Sequence, residues 1–171
     1  MMKKAAVYLL AVISVLAMAG CAGSASGSGD ISQSQAASAP IQMPNPWQGA
    51  ADMQEAEKIA GFRLDAPERV KGYSQALIQV MKSEEQPIIE VQYGDEGEVT
   101  IRKAPGEGDI SGAYGEYTEK TLLAGKTEVS VKSTQEVCVL ANWCENGYTY
   151  AVYIPEGMSE QEMTALVAEI Q

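Results

Sequence analysis

Short turn signals bound the fold of this chain more tightly than any other feature. Gly94-Asp95-Glu96-Gly97 and Glu145-Asn146-Gly147 each stand between runs in which apolar and polar residues alternate. Alternation with period two marks a strand with one buried face, and Asn-Gly is the strongest short hairpin signal. A parallel pair needs a crossover on the order of a dozen residues. These links are far shorter, so the sheet is expected to be mostly antiparallel. The candidate strands are Ala76–Met81, Ile88–Tyr93, Glu98–Lys103, Glu128–Ser133, Glu136–Trp143 and Tyr148–Ile154. Between them Pro105 to Tyr117, rich in glycine, reads as a long loop.

Two helices bracket the strands. The first is expected from Ala51 to Ala60. Asp52 with Glu55 three residues later resembles a capping box, Met53, Ala56, Ile59 and Ala60 form one apolar stripe, and Gly61 is the stop. In the second, Ser159-x-x-Glu162 caps a helix whose Met163, Leu166, Val167 and Ile170 recur at helical spacing. A helix with one apolar stripe needs a surface to cover. The expected fold is therefore α+β. A curved, meander-like antiparallel sheet of about six strands carries the C-terminal helix on one face, with a short N-terminal helix beside it.

The N-terminal stretch follows different rules. Lys3 and Lys4 precede a charge-free run from Ala5 to Ala19, about right for a signal peptide and short for a membrane span. Met18-Ala19-Gly20-Cys21 then resembles the lipobox of bacterial lipoproteins, with Met18 where Leu is usual. A thiol is required there because the thioether to diacylglycerol forms at sulfur. Small neighbours let the peptidase close around the backbone. Ala17-Met18-Ala19 is also an A-x-A pattern, which leaves ordinary secretory cleavage as the other reading. From Ala22 to Pro44 the chain is Ser-, Ala-, Gly- and Gln-rich, too poor in large apolar groups to build a core. The expected organisation is residues 1–20 as lipoprotein signal peptide, 21–44 as lipidated Cys21 with a flexible tether, and 45–171 as a single domain.

Charge and missing residue types exclude several functions. Loss of Lys3 and Lys4 with the signal takes the 12 basic residues to 10 against 23 acidic, a net charge of −13. Nucleic-acid binding and electrostatic adhesion to anionic lipid both need the opposite sign. The chain has no histidine, so the commonest general base and the commonest zinc ligand are both missing. No metal, cofactor or catalytic residue is indicated. Cys138 and Cys144 would lie about 20 Å apart in one straight strand, too far for a disulfide. A bend near Asn142 would be needed to join them, and two free, partly buried thiols are the favoured state.

A series of short motifs carries a family resemblance. It comprises Asn45-Pro46-Trp47, Ala60-Gly61-Phe62, Arg102-Lys103-Ala104, Asp109-Ile110-Ser111-Gly112-x-Tyr114, Leu140-Ala141-x-Trp143 and Asn146-Gly147-Tyr148-x-Tyr150. The series resembles an uncharacterised family catalogued as domain of unknown function 4367, found in secreted lipoproteins and membrane-anchored proteins of clostridia and their relatives. The likeness would span Asn45 to Gln171. It implies an envelope location and these domain limits, and it assigns no activity.

Two groups of residues are candidates for binding. Arg102, Asp109 and Ser111 lie in the densest polar stretch. As a ligand loop, Arg102 would take an anion that Asp109 and Ser111 orient. As structure, Arg102 would pair with Asp109 while the glycines supply positive φ. The structural alternative is favoured. Tyr148 and Tyr150 alternate onto one face, with Tyr153 on the other. Such a face binds sugars, peptides or acyl chains, and cross-strand packing explains the same pattern without a ligand.

The expected function is a non-catalytic, extracytoplasmic module, held to the cell membrane by lipid such as palmitate, that binds an envelope protein or a small ligand. A carrier of an apolar ligand between sheet and helix is the first alternative. A carboxylate-based envelope hydrolase is the second.

Overall fold

The computed structural model describes residues 45–171. The expected signal peptide, Cys21 and the tether lie outside the described residues. Among the described residues the order is β1 (Trp47–Ala50), α1 (Met53–Ala60), β2 (Arg69–Val70), β3 (Tyr73–Met81), β4 (Ile88–Tyr93), β5 (Val99–Pro105), β6 (Thr118–Ala124), β7 (Thr127–Thr134), β8 (Val137–Glu145), β9 (Tyr148–Met158) and α2 (Glu160–Glu169). The strands form an open, curled sheet in the order β1-β3-β4-β5-β9-β8-β7-β6, with β2 paired to β3 off this path. Every ladder is antiparallel.

Two expectations need correction. Among the described residues there are nine strands rather than about six. The three additional ones leave weak sequence signals for physical reasons. β6 is an edge strand in which only Ala124 is buried, so it has no alternation to show. β1 has four residues and β2 has two, too short for a period to emerge. The path is also more than one meander. β3-β4-β5 and β6-β7-β8-β9 are two meanders, and residues 106–117 carry the chain from the middle of the sheet to its far edge. The second meander then returns so that β9 pairs with β5.

Both helices end as their capping residues dictate. Asp52 accepts from the Glu55 N–H at 2.8 Å, and Glu55 in turn accepts from Ala51 N at 2.7 Å. Gly61, with φ 85°, closes α1 by donating to the Glu57 carbonyl. Ser159 and Glu162 form the full reciprocal box at the start of α2. Those hydrogen bonds from Ser159 hold the Glu162 carboxyl below its ordinary pKa.

The main core lies on the sheet face that carries both helices. Ala56 of α1 and Met163, Leu166 and Val167 of α2 meet the inward residues of the central strands, among them Ile89, Val91, Ile101, Val131 and Val152. The opposite face is covered too, near the sheet centre. Ile110 from the long loop joins Ile88, Ala104 and Ala151 there, with Trp47 and Met81 packed against them. Covering on both faces explains the unbroken burial from Ile88 to Val91 and from Thr149 to Val152.

Three hairpin turns place two successive residues at positive φ, the type I′ geometry that suits strand twist. Lys71-Gly72 and Asn146-Gly147 use glycine for the second position. Gln135-Glu136, between β7 and β8, does not, with φ of 48° and 70°. Left-handed backbone costs a side-chain-bearing residue about 1–2 kcal/mol. Replacing Gln135-Glu136 by Asn-Gly is therefore expected to raise unfolding free energy by about 1–2 kcal/mol. Urea titration would read this as a higher midpoint at unchanged slope, and an unmoved or lower midpoint would contradict it.

Candidate functional site

Adjacent residues of β5 face opposite ways, so Arg102 and Lys103 are sent to different sides of the sheet. On the loop side, Arg102 meets Glu90 from β4. Arg102 Nε and Nη2 each approach Glu90 Oε2 at 2.6 Å. Glu90 is only 1% exposed, and its other oxygen accepts from Gln79 and Gln92, each at 2.6 Å. Arg102 Nη1 donates to the carbonyls of Ile110 and Ser111 at 2.8 and 2.6 Å. Its guanidinium also lies 5.5 Å from the Trp47 ring. A Cβ at Gly112, where φ is +66°, would fall 2.7 Å from Arg102 Nη1, so only glycine lets the loop come this close.

The expected Arg102–Asp109 pair is therefore replaced by two others. Arg102 pairs with Glu90, and Asp109 pairs with Lys132 at 2.8 Å. Asp109 also accepts from Ser111 N at 2.9 Å, while Ser111 Oγ accepts from Ala113 N at 3.2 Å. Burial pushes the Asp109 carboxyl up, but hydrogen bonds from Lys132 and Ser111 outweigh it and hold the pKa below the ordinary value. Arg102 spends its donors on protein acceptors and acts as a strut that straps residues 106–117 onto the sheet. Glu90, its essential partner, gave no sign in the sequence beyond an acid within an apolar run.

The helix side is different. Lys103 continues the inward series Val99, Ile101, Lys103, and it is only 7% exposed. Its Nζ lies 4.7 Å from the Tyr148 ring centroid and 4.9 Å from that of Tyr150. Tyr150 stacks on Trp143 with centroids 4.9 Å apart and planes within 4°. Tyr148 meets Phe62 at 5.3 Å. Among the described residues Lys103 forms no ion pair. The ammonium thus rests on aromatic faces, whose negative quadrupole partly replaces lost water. Burial lowers its pKa, opposed by the charges of Asp65 and Glu57 and assisted by Arg63. Burial likewise pushes the Tyr150 phenol up to about 12, so it stays protonated.

Lys103, Trp143, Tyr148 and Tyr150 line a cleft of about 510 Å³ at one end of the sheet. Arg63 and Asp65 enter it after α1, Glu145 enters from the β8–β9 turn, and the C-terminal end of α2 supplies Val167 and Ile170. Tyr148 and Tyr150, expected on one face, meet here. Lys103 was not among the expected site residues. The signal for it was a lysine at the inward position of an alternating strand. Arg102, Asp109 and Ser111 lie on the other face of the sheet.

The remaining chemistry is modest. Cys138 and Cys144 are free, as favoured, but Cys138 is fully buried and Cys144 is exposed. Among the described residues no group of three or more His, Cys, Asp or Glu is arranged to hold a metal, and no helix is long and apolar enough to cross a membrane. No family model, no curated protein and no solved structure matches the chain.

Two expectations follow from the two cations. Arg102→Leu leaves the Glu90 charge buried without its partner, which costs about 3–5 kcal/mol. Denaturant unfolding should show that loss, and hydrogen exchange should rise across residues 106–117. A loss below about 1 kcal/mol would mean the pair is not the strap's anchor. For Lys103, the folded pKa lies below the ordinary 10.5, so the unfolded chain binds the proton more tightly between the two values. Stability therefore rises with pH across that window. Lys103→Met removes this contribution, so the stability difference between variant and wild type should move in favour of wild type as pH climbs toward 10.5. A difference that stays constant over that range would contradict the lowered pKa.

Proposed function

We propose that the protein is a membrane-anchored, extracytoplasmic binding module whose ligand site is the Lys103 cleft, and that its ligand presents an anionic group to that ammonium. One observation carries the reading: Lys103 is buried, lines an open cleft and has no carboxylate partner among the described residues. A desolvated ammonium gains much from an incoming anion, because the charge-assisted bond replaces hydration already lost. Aromatic walls supply contact area for a flat or apolar ligand body. The location rests on the Ala5–Ala19 run and the lipobox-like Met18-Ala19-Gly20-Cys21. The likeness to domain of unknown function 4367 supports the same location and is carried by the quoted motifs alone.

A non-catalytic role is supported by the lack of histidine and by the state of the nearby acids. Asp65 pairs with Arg63 at 3.2 Å, and Glu145 accepts from Thr127 at 3.3 Å. Neither stands as the isolated acid a hydrolase would need. A wholly apolar ligand suits the cleft poorly, since it would dehydrate Lys103 and return no charge.

The test uses the full chain purified from membranes in detergent, with 3-phenylpropionate and its neutral amide as probes. The acid should quench Trp143 fluorescence saturably, the amide should bind at least about tenfold more weakly, and Lys103→Met should abolish the difference. Equal binding of acid and amide, or an unaffected Lys103→Met variant, would overturn the reading. In cells, Cys21→Ser should release the protein from the membrane fraction or leave its signal peptide uncleaved. An unmodified Cys21 in membrane-bound wild type would remove the anchor from the proposal.

A further inference from the structure

The charges around Lys103 bear on what kind of anion the cleft takes. Lys103 is the one cation among them with little exposure; Arg63 is 74% exposed along its side chain and is engaged by Glu57 at 3.5 Å and Asp65 at 3.2 Å. Acids outnumber bases at the mouth. Asp65 and Glu145 line the cleft, and the charges of Asp65 and Glu57 act on Lys103 itself. The C-terminal end of α2 also lines the cleft, with no basic residue in its last turn to offset its dipole. A helix C-terminus carries about half a negative charge. The cleft therefore holds one buried cation, Lys103, and an exposed rim in which Asp65 and Glu145 outnumber Arg63.

Such a field disfavours a dianion. A phosphate monoester would meet one buried cation and the carboxylates of Asp65 and Glu145, and among the described residues no second buried cation lines the cleft. A simple monoanion satisfies the floor and leaves the rim unused. A ligand with a carboxylate at one end and an ammonium at the other matches both.

We infer that the ligand is a zwitterion, a free α-amino acid or short peptide with an apolar or aromatic side chain. Its carboxylate sits on Lys103, its ammonium faces the rim of Asp65, Glu145 and the α2 C-terminus, and its side chain lies against Tyr148 and Trp143. This rests on the cleft being an anion site, as proposed above. The volume of about 510 Å³ falls in the usual range for small-ligand pockets. Free amino acid and peptide share the chemistry and differ only in the spacing of their two charges.

The experiment compares five probes on the full chain in detergent: phenylalanine, glycyl-phenylalanine, 3-phenylpropionate, phenethylamine and phenyl phosphate. One of the two zwitterions should bind at least about tenfold more tightly than 3-phenylpropionate, which lacks only the ammonium. The tighter of the two then tells amino acid from peptide. The double variant Asp65→Asn, Glu145→Gln should erase that preference without weakening the binding of 3-phenylpropionate. Both positions are at the exposed rim, so folding should survive, and a thermal melt verifies it. Equal or tighter binding of 3-phenylpropionate overturns the zwitterion and leaves the anion site standing. Phenyl phosphate as the tightest probe also overturns it. Failure of every carboxylate overturns both proposals together.

Discussion

The antiparallel ladder between β5 and β9 holds the two halves of this molecule together. Each half is a meander that closes its own hydrogen bonds through short turns. Only this ladder joins them into one sheet. Its register sets Lys103 opposite Tyr150 and Arg102 opposite Ala151. Because side chains alternate, a slip of one residue would drive Arg102 into the helix-side core and lift Lys103 onto the strap. The hydrophobic pattern opposes that slip, since Val99 and Ile101 would leave the core together with Lys103. The same apolar burial that stabilises the fold therefore fixes the chemistry of both faces.

Two neighbouring cations meet opposite fates on either side of that ladder. Arg102 is matched by Glu90 and two carbonyls, and Glu90 in turn accepts from Gln79 and Gln92, a network in which the named groups find partners. Guanidinium suits this work because its planar fork is geometrically fixed and stays charged. Lys103 has aromatic rings instead of acceptors. An ammonium without a counterion costs stability, and structures tolerate such a cost most often where binding recovers it. The contrast separates a charge matched inside the protein from one left on aromatic faces better than burial alone.

The loop at 106–117 carries the chain from one meander to the other. It must span from β5 to the sheet's far edge before β9 can return, so the central ladder is a long-range contact. Pairings of this kind pay loop-closure entropy before they gain any contact. The Arg102 strut, the Lys132–Asp109 pair and the Thr149 hydroxyl, which donates to the Gly108 carbonyl at 2.6 Å, pin the loop to the sheet. Ile110 then covers the face that the helices leave open.

Much of the architecture was legible from residue order alone. Ser159-x-x-Glu162 with its apolar stripe, Gly61, the Asn146-Gly147 turn and the alternating runs specify local structure because caps, turns and period-two burial act over a few residues. They determined an antiparallel sheet, two bracketing helices and the shared face of Tyr148 and Tyr150. Strands without a buried stripe, such as β6, stayed hidden. So did the pairings not made through a short turn, the β5–β9 ladder above all. Nothing near Arg102 indicates that its partner is Glu90, twelve residues away, rather than Asp109. Nothing near Lys103 shows that no carboxylate reaches it. Those outcomes depend on which strands become neighbours and in what register. That is decided by the packing of the whole sheet against its helices, and the tertiary structure alone shows Lys103 lining a cleft without a carboxylate partner among the described residues.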